Sequence, residues 1–63
     1  MDRYADLRAI VNDLTIAQVR HKISVEYGLP LWCNSNRPSG TSLDEWHREQ
    51  LVSIYAEEDA REG

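Results

Sequence analysis

Apolar residues recur at intervals of three and four positions along most of the chain, which is the spacing that places them on one face of an α-helix. The first stripe comprises Tyr4, Leu7, Ile10, Val11 and Leu14. It predicts a first helix over about residues 2–13. The Asn12-Asp13 pair is a plausible end for this helix because both side chains compete for backbone hydrogen bonds.

The second stripe comprises Ile16, Val19, Ile23 and Tyr27. Thr15 precedes it and Gln18 follows three positions later, which is the pattern of a capping box at a helix N-terminus. The Gly28-Leu29-Pro30 sequence after the stripe is typical of a helix that ends in a left-handed residue. We therefore expect a second helix over about residues 15–27.

A third stripe comprises Leu43, Trp46, Leu51, Ile54 and Tyr55, with Val52 beside it. Ser42 and Glu45 form another capping box in front of it, and the pattern fades into an acidic run. A third helix is predicted over about residues 42–59. Residues 30–41 combine proline, glycine, asparagine and serine, a composition that favours turns, so a long loop should join the second and third helices.

The three helices can bury their stripes only against one another, since no segment alternates apolar and polar residues as a half-exposed strand does. A chain of 63 residues is also too short for a second core. We expect a compact all-α fold, one small domain over residues 1–63. With so small a core, a homodimer or a structural subunit of a larger assembly is a further hypothesis, because association would add stability.

Residues suited to nucleophilic catalysis or metal binding are few. Outside the carboxylates and hydroxyls they are Cys33, His21 and His47. A Cys-His pair needs a cleft that stabilises the thiolate, which a chain this short rarely encloses, and the acids around His47 follow no metal-ligand spacing. We expect a protein that is not an enzyme and that binds no metal, cofactor or small-molecule substrate. Cys33 should be half-buried and both histidines should lie on the surface.

The sequence also favours a reducing compartment. One cysteine cannot form an intramolecular disulfide framework. Residues 1–6 are acidic and polar, unlike a signal peptide, and no apolar run approaches membrane-spanning length. These features predict a cytoplasmic protein that does not act at a membrane.

The net charge of −4 is unevenly distributed along the chain. Residues 1–14 sum to −1, residues 15–41 to +2 and residues 42–63 to −5. The acidic last third repels nucleic acids and membrane surfaces and favours a basic protein partner. Trp32 should be partly exposed in the loop, and exposed tryptophan is enriched at binding hot spots.

The leading hypothesis is a non-catalytic protein-interaction module, a small regulator or inhibitor that binds a basic protein surface. The residues expected to bind the partner are Trp32, Arg37, Asp44, Glu45, Glu49, Glu57, Glu58 and Asp59. The acidic ones among them offer charge to a basic surface, and Trp32 offers apolar area.

Three short runs of residues resemble a known nucleic-acid-binding family. In chain order they are Leu14-Thr15-Ile16-Ala17-Gln18-Val19-Arg20, then Tyr27-Gly28-Leu29-Pro30, then Ser39-Gly40-Thr41 ahead of the third helix. Over about residues 14–55 this order resembles the SAP-type helix-extended-loop-helix module, with a longer insertion, Leu31 to Pro38, than is usual there. The resemblance implies DNA or RNA binding as the alternative function. The candidate contacts are then Arg20, Lys22, Arg37 and Thr41.

Overall fold

The computed structural model describes residues 3–62, in which three helices follow one another as the sequence predicts. The helices are α1 (Arg3–Asn12), α2 (Ile16–His21) and α3 (Leu43–Glu62). A π-helical turn, Lys22–Glu26, continues α2 without a break, and a 3-10 turn, Asn34–Asn36, lies in the connection to α3. No strand occurs between residues 3 and 62. The all-α fold with a long connection before the third helix is confirmed.

The predicted helix ends have a visible cause in the structure. Thr15 Oγ1 accepts a hydrogen bond from the Gln18 amide at 3.1 Å, and Gln18 Oε1 accepts one from the Thr15 amide at 2.8 Å. At α3, Ser42 Oγ accepts from the Glu45 amide at 3.1 Å. Gly28 has a φ of 65°, the left-handed conformation in which a helix commonly ends. α3 continues beyond its predicted end at residue 59.

The core is a small cluster of aliphatic side chains from α1, α2, the π-helical turn and α3. Its members are Val11, Val19, Ile23, Leu51 and Val52. Arg48 of α3 adds a polar connection beside this cluster, because its Nη1 donates to the carbonyls of Val11 at 2.8 Å and Leu14 at 2.9 Å. Carbonyls at a helix C-terminus have no partner within the helix, so Arg48 completes the end of α1.

The buried core is narrower than the predicted stripes. Tyr4 and Ile10 were expected on the buried face of α1 but are exposed, because α1 packs mainly against α3 and so buries a narrow face. Tyr27 was expected in the buried stripe of α2 but is 36% exposed. Tyr27 is the C-cap of the π-helical turn and lies beyond the core cluster, where Tyr55 contacts its ring edge-on.

Candidate protein interface

The chain that follows α2 lies along α3 and is held there by two buried polar side chains. We name residues 29–33 the 29–33 segment. Gln50 Nε2 donates to the Pro30 carbonyl at 2.9 Å, and Gln50 Oε1 accepts from the Trp32 amide at 2.8 Å. His47 Nε2 lies 3.2 Å from the Trp32 carbonyl. Gln50 and His47 are each 4% exposed, so these bonds are shielded from water and fix the backbone of the segment.

The 29–33 segment is extended and runs antiparallel to α3. The Tyr27 ring contacts Tyr55 in the second half of α3, with ring centroids 6.4 Å apart, and Trp46 Nε1 donates to the Cys33 carbonyl at 3.2 Å near the start of α3. Cys33 has extended backbone angles, with φ of −69° and ψ of 136°. Pro30 and Trp32, two residues apart, both turn a backbone group toward Gln50, which is the alternation of an extended chain.

His47 links α2, α3 and the 29–33 segment. Arg20 Nε donates to His47 Nδ1 at 3.1 Å, and Arg20 Nη2 bonds Asp44 Oδ1 at 2.7 Å. A guanidinium group can only donate, so Nδ1 is the acceptor and Nε2 carries the proton that is donated to Trp32. The expectation of a surface His47 was therefore wrong. Burial is tolerated because both ring nitrogens have partners.

The two tryptophans pack on each other beside this linkage. The ring centroids of Trp32 and Trp46 lie 4.2 Å apart with an interplanar angle of 49°. Trp32 is half-buried, as predicted. Trp46 was expected in the core stripe but is also only half-buried and lies outside the core cluster. Its ring covers Trp32 and its Nε1 holds Cys33, so Trp46 stabilises the loop more than the core.

A row of exposed apolar side chains begins directly after the core residue Ile23. We name it the apolar row; its members are Val25 (65% exposed), Tyr27 (36%), Leu29 (42%) and Leu31 (36%). Several exposed apolar residues within so short a stretch of a small protein are typical of an interaction site. Leu31 and Leu29 belong to the fixed 29–33 segment, so part of the row has a defined geometry.

One end of the apolar row is acidic. Burial raises the pKa of the Tyr27 hydroxyl well above its usual range, and the hydrogen bond to Glu58 and the charges of Glu58 and Glu26 add to the shift. The Tyr27 ring meets Tyr55 edge-on at 6.4 Å. An open groove of about 400 Å³ next to Tyr55 is lined by Arg3, Asp6, Leu7, Ile10, Tyr55, Glu58 and Asp59. Apolar surface and carboxylates thus lie side by side here.

Most cations of the chain are engaged by other groups of the same chain. The ion pairs are Arg3 with Asp59 (3.0 Å), Arg8 with Glu49 (2.9 Å), Arg20 with Asp44 (2.7 Å) and Lys22 with Glu26 (3.4 Å). Arg37 donates to Asn34 Oδ1 at 2.8 Å and to the Thr41 carbonyl. The side chains of Arg20, Lys22 and Arg37, put forward for nucleic-acid binding, are therefore all occupied.

The acidic residues expected to bind a partner fall into two groups. Asp44, Glu49 and Asp59 are paired with arginines as described above. The three glutamates of the other group form no ion pair within the described part of the chain: Glu45, Glu57 and Glu58. Glu58 lies beside Tyr27 at the acidic end of the apolar row, Glu57 lines an open groove with Arg3 and Tyr4, and Glu45 lies in the first turn of α3.

The remaining candidates for chemistry are not assembled into a site. Cys33 is exposed, contrary to the half-buried position expected, and its Sγ lies 2.8 Å from Ser35 Oγ. Hydrogen bonds to Ser35 lower the pKa of the Cys33 thiol. His21 is exposed, as predicted, with Nδ1 3.8 Å from Glu26. Within residues 3–61, no three histidine, cysteine or acidic side chains are grouped so that they could hold a metal ion.

Sequence reasoning missed Gln50, which binds the 29–33 segment through both polar atoms of its side chain. The helical periodicity could have predicted its burial, because position 50 lies on the apolar stripe between Trp46 and Ile54. The stripe gave no indication of which backbone the amide would bind. None of the described helices is long and apolar enough to cross a membrane.

No protein-family model, curated protein or solved structure matches this chain. Only its own geometry therefore bears on its function. The features that stand out are the apolar row, the fixed 29–33 segment and the acidic end of α3.

Proposed function

We propose that this chain is a non-catalytic protein-interaction module that binds a basic segment of a partner protein. The observation that carries the proposal is the apolar row lying next to Glu58, a carboxylate without an ion pair in the described residues, which Glu57 precedes on α3. Apolar contact supplies affinity at the centre of an interface, and complementary charge at its rim speeds association and selects the partner. A segment that carries both lysine or arginine and apolar side chains complements this surface.

The internal pairing of cations supports a protein partner over a nucleic acid. Duplex binding needs several lysine or arginine side chains that can reach phosphates. Arg20, Lys22 and Arg37 would each have to break a contact with their own chain before they could do so. The net charge of −4 adds a general repulsion of polyanions.

The ordered backbone of the 29–33 segment supports a binding role for the apolar row. Contacts from Gln50, His47 and Trp46 order the 29–33 segment before any partner arrives, so less entropy is lost on association. A small protein with such a surface suits a regulator or inhibitor, which acts by occupying a basic region of another protein.

Binding of charged probes tests the proposal. Fluorescence anisotropy would follow three labelled probes at low and near-physiological salt: a short peptide of alternating lysine and valine, the same peptide with glutamate in place of lysine, and a mixed-sequence DNA duplex. The protein would be compared with the variant Glu57→Gln/Glu58→Gln. Circular dichroism would check that this variant folds like the wild-type protein. Glu45→Gln, at the opposite end of α3, is the matched control.

We expect the lysine peptide to bind and the glutamate peptide not to bind. Neutralising both glutamates should weaken binding about three- to tenfold at low salt and less at higher salt, while Glu45→Gln changes it less than about twofold. Tight binding of the DNA with a steep salt dependence would instead favour the nucleic-acid alternative. A chain that binds no probe and only self-associates would contradict the proposal and favour the structural-subunit alternative.

A further inference from the structure

We infer that the outer edge of the 29–33 segment binds the partner's basic segment in an extended conformation, as an added β-strand. This inference rests on the proposed function, because it states how the same surface holds its partner. It concerns the backbone of the segment, whereas the proposed function rests on side chains and charge.

Backbone bonds hold the segment at several points and leave other groups open. The Cys33 carbonyl accepts from Trp46 Nε1 and from the Asn36 amide. The Pro30 carbonyl and both backbone groups of Trp32 are bonded by α3 side chains. In an extended chain, successive residues point their N–H and C=O groups to opposite edges. The groups left for the outer edge are the carbonyl of Leu29, both backbone groups of Leu31 and the amide of Cys33. None of them has a hydrogen-bond partner within the described residues.

The side-chain amide of Gln50 acts on the inner edge as a neighbouring strand would. It presents a donor and an acceptor side by side, the donor to the Pro30 carbonyl and the acceptor to the Trp32 amide. The segment is thus already held in an extended conformation, although no sheet is present in the described residues. An exposed row of unpaired amides and carbonyls on such a chain is a template for a further strand.

The geometry also limits the partner. A residue placed opposite Leu31 would exchange two hydrogen bonds with it, and Leu29 and Cys33 offer one further bond each. In this mode the main chain supplies affinity and alternate side chains supply specificity. Side chains beside Leu29 and Leu31 would be apolar, and those reaching toward Glu57 and Glu58 would be basic. A second copy of this chain fits less well, since each copy carries a charge of −4.

Peptides that differ only in their backbone amides test this mode. The first probe is the lysine-valine peptide, and the second is the same peptide with N-methyl groups on its amides, which removes its donors. Binding would be measured to the wild-type protein and to Leu31→Pro, which removes an amide that has no internal partner. Leu31→Ala, which shortens the side chain and keeps the amide, is the matched control. Circular dichroism would confirm that both variants fold.

A ¹⁵N-labelled sample provides a readout that does not depend on the variants. On addition of the unmethylated peptide, the amide protons of Leu31 and Cys33 should become protected from solvent exchange. The amide of Trp32 should change little, because Gln50 already holds it.

We expect the methylated peptide to bind at least about tenfold more weakly, since it can no longer donate to the carbonyls of Leu29 and Leu31. Leu31→Pro should weaken binding more than Leu31→Ala. Equal binding of both peptides, with unchanged Leu31 and Cys33 amides, would overturn strand addition and leave the proposed function standing. If neither peptide bound at low salt, both strand addition and the proposed function would be overturned.

Discussion

At the scale of single residues, the fold depends on buried polar side chains that satisfy the backbone of a distant segment. Gln50 and His47 are almost fully buried, and each bonds backbone atoms of the 29–33 segment. Within the described residues, no buried side-chain nitrogen or oxygen lacks a partner. Loss of one such partner costs more than a surface bond, because the atom left behind cannot reach water.

The same substitution at two glutamines should therefore have different effects. In Gln50→Glu the carboxylate can still accept from the Trp32 amide, but it cannot donate to the Pro30 carbonyl. Its oxygen and the carbonyl oxygen then repel each other in a buried site. We expect the free energy of unfolding to fall by about 2 kcal/mol or more. Gln18→Glu should leave it nearly unchanged, because glutamate also completes a capping box. Urea unfolding followed by tryptophan fluorescence measures both, and equal midpoints would contradict the assigned role of Gln50.

At the scale of secondary-structure elements, α3 organises the molecule. Its core residues pack against α1 and α2, its Arg48 completes the end of α1, and Trp46, His47 and Gln50 hold the 29–33 segment. The π-helical turn after α2 contains Val25 and is followed by Tyr27, and these two exposed side chains begin the apolar row.

Arg48 should contribute more to stability than another arginine of the same helix. Arg48→Met keeps apolar packing but leaves the carbonyls of Val11 and Leu14 without their charged donor, which costs about 1.5–3 kcal/mol. For a domain of this size we expect the melting temperature to fall by about 10 °C or more. Arg61→Met, at the exposed end of α3, is the control and should shift it by only a few degrees. Circular dichroism melts would show the difference, and similar melting temperatures would refute the role of Arg48.

At the scale of the whole molecule, the sequence predicted the helices better than it predicted the interface. Periodicity and capping are local, so the start of α2 at Thr15 and its left-handed end at Gly28 could be inferred from neighbouring residues. The contacts of Gln50 join positions 18 and 20 residues apart, and no local pattern indicates them. His47 was misplaced for the same reason: its burial depends on Arg20 and Trp32, which lie far from it in sequence.

The candidate site shows the same division between local and distant contacts. The acidic character of the last third and the presence of Trp32 in the loop were evident from composition and position. The sequence did not show which carboxylates remain without an ion pair. Asp44 pairs with an arginine of α2 and Asp59 with an arginine at the start of α1, and both partners are distant in sequence.

The central claim is that α3 holds the 29–33 segment extended, with its inner edge bonded and its outer edge open. Amide hydrogen exchange of the free protein, resolved by residue with NMR, tests this most directly. We expect slow exchange at Trp32, whose amide is bound by Gln50, and fast exchange at its neighbours Leu31 and Cys33. Uniformly fast exchange at all three amides would show that the segment is not held on α3. Slow exchange at Leu31 would show that its outer edge is already paired, and either result would contradict the claim.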